Sequence, residues 1–238
     1  MEDSRMPGTW TAPMSPTAAA AQITAFLQKV YGWMCAGLAL TALVAFAVAS
    51  TPALLRPLIS NPLLFLGLVL AEVGLVFYLS ARAQRLAPGT AAALCTGYAA
   101  LNGVTLSVVF LAYTGQSVAN AFGVTAAMFG AMALYGSLTK RSLAGVGQFA
   151  FMGLVGLVLA SLVGLFWHNS TLQFLIAGVG VIVFTGLAAW DAQRLKRMAL
   201  ATPEGRAGSL TIVGALSLYL DFINLFLALL YFLGNRRE

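Results

Sequence analysis

Seven stretches of the chain are almost free of polar side chains, and each is close to the roughly 20 residues that an α-helix needs to cross the hydrocarbon core of a bilayer. They cover residues 30–49, 62–80, 91–113, 118–138, 146–167, 172–190 and 210–233, the sixth continuing into a basic extension. The pattern predicts an all-α membrane protein of seven transmembrane helices within a single domain over residues 29–238. Residues 1–28 are rich in Pro, Thr, Ala and Met, and no basic segment feeds directly into a short apolar core. They are expected to form a flexible N-terminal tail and not a cleaved signal peptide.

The loops suggest how the helices pair. Segments 114–117 and 168–171 are so short that the third and fourth spans, and the fifth and sixth, are expected to be antiparallel hairpins. Pro52, Pro57 and Pro62 punctuate a longer first loop and predict a looser pair. Gly123, Gly130 and Gly136 in the fourth span, the run GLVGLVLASLVG in the fifth, and Gly178, Gly180 and Gly186 in the sixth predict close helix packing. Lipid supplies no hydrophobic drive between helices, so backbones must approach for dispersion to hold a bundle together.

Composition strengthens this picture. The chain is 60% hydrophobic and 8% charged, with a mean hydropathy of +0.89, against about 25% charged residues in soluble domains. No soluble domain of useful size is left over, so any function belongs to the bundle or its loops. The net charge of +6 does not announce a nucleic-acid partner, because the thirteen Lys and Arg residues sort by side of the membrane. Ten lie on the side of the N-terminus, and only Arg56, Arg236 and Arg237 lie on the other. The positive-inside rule then expects a cytoplasmic N-terminus. Cys35 and Cys95 lack metal or disulfide spacing and are expected to be small buried apolar residues. His168 has no second histidine or nearby cysteine to make a metal site, and Asn169-Ser170-Thr171 is a chance match to a glycosylation pattern in a tight loop.

The informative chemistry is acidic. Glu72, Asp191 and Asp221 lie within apolar runs, where an ionised carboxylate costs about 2.5 to 3.5 kcal/mol on the insertion scale. Each must face protein, carry a proton or find a partner. Asp221, eleven residues into the last run, lies about 16 Å deep by the helical rise. Asp191, just before Arg194, Lys196 and Arg197, is expected about a turn below the interface, so the two meet only if a helix tilts or extends. Gly214, Ser217, Asp221 and Asn224 recur at intervals of three and four and share one face of the last helix. That polar stripe calls for protein neighbours. Glu72 reads as a carboxyl hydrogen-bonded to a neighbouring helix, and Asn102 as an interhelical hydrogen bonder. Arg82 reads either as a snorkelling interface residue or as a latch on Asp191. Two carboxyls in contact cannot both ionise cheaply. Such a pair suits proton uptake, binding of a hard cation such as Ca²⁺, or activation of water as in an aspartic protease.

The run GALSLYLDFINLFLALLYFLG (214–234) resembles the signature last helix of the Bax inhibitor-1, or transmembrane Bax inhibitor motif, family in its bacterial branch. The segment FTGLAAWDAQRLKR (184–197) resembles that family's preceding characteristic stretch. The resemblance implies six helices around a central seventh and a multi-pass protein of the bacterial inner membrane. It also implies a di-aspartyl pH sensor at Asp191 and Asp221 in a calcium leak, with a second-span arginine as latch, Arg82 or else Arg85. Glu72, Ser217 and Asn224 are expected to support that pair. Calcium would be a transient, transported ion at the two aspartates, and no cofactor and no enzymatic activity are expected. Some bacterial relatives resemble modulators of the membrane protease FtsH, which makes such a protease the alternative partner. An intramembrane aspartyl protease is the remote alternative, since its Gly-x-Gly-Asp pattern is replaced here by Leu218-Tyr219-Leu220-Asp221.

Overall fold

The computed structural model describes residues 15–83, 85–167, 169–201 and 207–235. Its helices are α1 (Pro16–Ala49), α2 (Pro52–Ser60), α3 (Pro62–Arg82), α4 (Pro88–Leu106), α5 (Val109–Ala112), α6 (Gly115–Leu138), α7 (Ala144–Phe166), α8 (Ser170–Ala201) and α9 (Ala207–Leu233). Among the described residues, seven helical stretches are long and apolar enough to cross a membrane, α4 and α5 together making one of them.

Local chemistry sets the helix starts. Ser15, Asn61 and Thr114 each accept a hydrogen bond from the backbone N–H three residues on, and Pro16, Pro62 and Pro88 open their helices. Proline there loses nothing, because the first-turn N–H has no partner within the helix. The proline-punctuated first loop is itself the short helix α2, with Leu55 and Leu58 buried.

Helix α1 begins well before the first apolar run, so residues 16–28 of the expected tail are helical. The cap at Ser15 and a run of strong helix formers explain the extension. Phe26 is buried, and the Gln22 side chain donates to the Ala199 carbonyl at 2.8 Å, tying this turn to the end of α8. Residues 1–14 of that tail, and His168, lie outside the described residues.

The expected pairing holds for α7 and α8 but not for the third and fourth spans, which do not pack along their lengths. α4 packs on α1, α3 and α9, while α6 packs on α8 and α9. The short connection instead crosses the end of α9. Thr114 N–H donates to the Asn235 carbonyl at 3.3 Å, and Asn235 N–H to Ser117 Oγ at 3.0 Å. α9 is the most buried of the seven spans and packs against α1, α4, α6 and α8; α3 packs on α4 and is the least buried.

Glycine marks the closest approaches. A Cβ on Gly136 would collide with the Ala189 backbone, and one on Gly147 with the Trp190 ring. At Gly103 it would meet Val44 Cβ at 2.7 Å and the Thr41 carbonyl at 2.8 Å. Gly123, Gly130 and Gly156 face open space, so the small-residue pattern overstated packing there. Cys95 is buried as expected, but Cys35 is exposed, because α1 turns that face outward.

Polar side chains lash one end of the bundle together. Gln193 accepts from Leu143 N–H at 2.9 Å and donates to the Arg141 carbonyl at 2.8 Å. Lys196 Nζ donates to the Ser137 carbonyl, one of the last of α6, at 2.9 Å, a favourable place for a cation.

Candidate functional site

Each face of α9 has a different neighbour, and that is what aims its one acid. Phe222 stacks edge-on against Phe122 and Phe129 of α6, with ring centroids 5.2 and 5.6 Å apart. Tyr219 points the other way, toward α1 and α4. Asp221 meets Asp191 of α8, the two carboxyls close enough to interact directly. The residues are 6% and 7% exposed, so neither faces acyl chains.

Asp191 lies ten residues before the end of α8 at Ala201, about 15 Å in by the helical rise. The helix runs well past the interface suggested by its first basic residue, which is how the two acids come together. Two buried carboxyls side by side do not both ionise cheaply, and a proton between them removes the repulsion. Asp191 Oδ1 lies 3.6 Å from Arg194 Nη1, an ion pair too long to be a hydrogen bond. Asp221 Oδ2 is buried with no hydrogen-bond partner.

Arg82 is not brought to Asp191. Its guanidinium lies 5.5 Å from the centre of the Tyr78 ring, on the exposed end of α3. Ser217 and Asn224 bond to carbonyls of their own helix, Val213 and Leu220, and border the same crevice as the pair.

A second polar group lies nearby. Glu72, 8% exposed, is 3.0 Å from the Asn102 amide and 2.8 Å from the Thr105 hydroxyl. The other end of that amide meets the Tyr219 hydroxyl at 3.0 Å, which lies 2.7 Å from Thr41 Oγ1; Thr41 in turn donates to the Ala99 carbonyl at 2.8 Å. Thr41 and Tyr219 bring two hydrogens to three contacts. Amide N and O are interchangeable on heavy-atom positions, and turning the Asn102 amide resolves the shortage. The amide then donates to Tyr219, Tyr219 to Thr41, and Thr41 to Ala99. Glu72 is left to supply the hydrogen to the Asn102 carbonyl. The network joins α1, α3, α4 and α9. Tyr219, Thr41 and Thr105 went unnoticed in the sequence, because neutral hydroxyls in apolar runs carry no signal of their own.

Both acid groups border one crevice of about 870 Å³, walled by α3 and α7 and floored by α4, α8 and α9. A second cavity of about 670 Å³, lined by Arg85, Met198, Leu210 and Val213 among others, adjoins it; Ser80, Arg194 and Ser217 border both. Asp191 also borders a void of about 30 Å³ with Gly214 and Ser217. The aspartate pair thus lines the apolar-walled space, which meets the cavity carrying Arg85 and Arg194 at Ser80, Arg194 and Ser217.

A family model described as inhibitor of apoptosis-promoting Bax1 matches residues 23–238. The inner membrane protein YbhL of Escherichia coli is 47% identical over 220 residues, covering 91% of this chain and 94% of YbhL. An uncharacterized protein of Deinococcus radiodurans is 45% identical over 218 residues, 91% of this chain and 93% of that protein. One from Borreliella burgdorferi is 42% identical over 215 residues, 90% and 93% respectively.

Proposed function

The chain belongs to the Bax inhibitor-1 family, and on that premise we propose that it is a non-enzymatic, pH-sensitive calcium leak whose proton-responsive element is the pair Asp191 and Asp221. The observation that carries this reading is the meeting of two buried carboxyls from different helices, each with an oxygen outside any hydrogen bond, on the floor of the large crevice. With a proton between them the pair holds α8 to α9. Without it, two like charges face each other in a medium of low dielectric constant, and their oxygens become ligands for a hard cation. Two carboxyls are far fewer oxygens than the 6–8 that Ca²⁺ prefers, which suits passage better than storage. Arg194, beside Asp191, biases the same balance. The latch role of Arg82 requires an inward movement of α3, the least buried span.

The name of YbhL supports placement in a bacterial inner membrane, in contact with lipid on all sides. The end lashed by Gln193 and Lys196 carries Lys140, Arg141 and Arg194, and we assign it to the cytoplasm together with the N-terminus. Purified protein in liposomes loaded with a calcium indicator tests the leak. Parent protein is expected to admit Ca²⁺ at a rate that changes with pH, and Asp221→Asn to flatten that dependence. An absent flux, accompanied by stoichiometric co-purification of an FtsH-type protease from native membranes, would replace the leak with a regulatory role.

A further inference from the structure

The crevice beside the acid pair has the make-up of a ligand site as well as of a passage. Its volume, about 870 Å³, falls within the roughly 300–1,000 Å³ of small-molecule pockets. Its walls are apolar: Val69, Val73 and Phe77 from α3 face Phe151, Leu154 and Val158 from α7. The two wall helices do not pack on each other, and Phe77 is 71% exposed. The space is therefore open sideways, toward where acyl chains lie.

The floor differs from the walls. Asp221 Oδ2 is a buried acceptor without a donor, and Asp191 Oδ1 has only an arginine beyond hydrogen-bond range. Both aspartates are more than nine-tenths buried and line this crevice. A buried acceptor without a hydrogen bond carries a desolvation penalty that an incoming donor removes. The missing complement is thus an apolar chain ending in a compact group rich in donors.

We propose that the crevice binds a single-chain lipophilic amine, entering from the lipid between α3 and α7, with its ammonium group at the carboxyls of Asp191 and Asp221 that line the floor. A primary ammonium offers three donors and no acceptor, the complement of carboxyl oxygens that lack a donor. The ring of Phe184 also lines the space and favours a cation over an anion, while Trp190 already carries the Arg194 guanidinium 5.4 Å from its ring centre. A fatty acid would add a third carboxyl to the floor, and an alcohol brings one donor to two unpartnered oxygens. The proposal rests on the crevice and its unpartnered oxygens, and stands whether or not the protein conducts calcium.

The test is equilibrium binding of dodecylamine to the full chain in phosphatidylcholine nanodiscs at neutral pH, by titration calorimetry, with empty nanodiscs as reference. The expected result is saturable binding at one site per protein, with dodecanol and dodecanoate at least about tenfold weaker. Asp221→Asn is expected to weaken dodecylamine roughly tenfold to a hundredfold, as for loss of a hydrogen bond to a charged group. Val158→Trp, which fills the crevice from an exposed wall position and leaves the acids in place, is expected to abolish saturable binding. Uptake no different from empty nanodiscs, equal binding of dodecanol, or undiminished binding in Val158→Trp would each overturn the proposal. Because no flux is read, a failure here is distinguishable from a failure of the leak.

Discussion

Asp191 and Asp221 are conspicuous in the sequence for one physical reason: a carboxyl inside an apolar run is costly, so its presence demands a partner. The same cost flagged Glu72, and the structure supplies its partners in Asn102 and Thr105. What the sequence hid was direction. Arg194 resembled an interface cation, yet its guanidinium lies 3.6 Å from Asp191, while Arg82, the more prominent candidate, lies over Tyr78. Replacing Arg194 with Gln is therefore expected to shift the pH profile of calcium flux in liposomes, and an unshifted profile would deny it any part in the pair's titration. The hydrogen count around Asn102 gives a second outcome. Glu72→Gln still supplies a donor and is expected to melt close to the parent. Glu72→Leu strands the Asn102 amide and is expected to lose about 1–3 kcal/mol, read as a lower melting temperature in detergent.

At the scale of helices, apolar runs fixed the number of spans because the bilayer imposes their length. Loop length was a poorer guide to which helices touch. The connection between α5 and α6 is short, but α9 occupies the space where a hairpin partner would lie, so the third and fourth spans are held apart. Glycine had the same ambiguity: Gly136 and Gly130 are alike in sequence, yet only Gly136 faces a neighbouring backbone. Gly136→Ala is expected to push α6 off α8 and to lower thermal stability clearly. Gly130→Ala is expected to be neutral or to stabilise by up to about 1 kcal/mol through helix propensity. Equal melting temperatures for the two variants would contradict the close contact at Ala189.

For the molecule as a whole, the charge asymmetry and the lashed end make one prediction about orientation. A single cysteine at Lys140, in a background lacking Cys35 and Cys95, is expected to be labelled by an impermeant maleimide only after inner-membrane vesicles are inverted, and a cysteine at Ser60 only before inversion. The reverse pattern would turn the protein over. The burial of α9 was foreshadowed by its polar stripe, but the crevice was not legible in the sequence. It arises from two wall helices, α3 and α7, that fail to meet, and no residue pattern encodes a missing contact. The central claim is narrower than the fold: Asp191 and Asp221 share a proton. Infrared difference spectroscopy across a pH titration measures this directly through the carboxyl C=O stretch. A single titrating band is predicted, shifted or lost in Asp191→Asn and Asp221→Asn alike, because each acid is the other's partner. Two independent bands, each removed by only one substitution and untouched by the other, would contradict it.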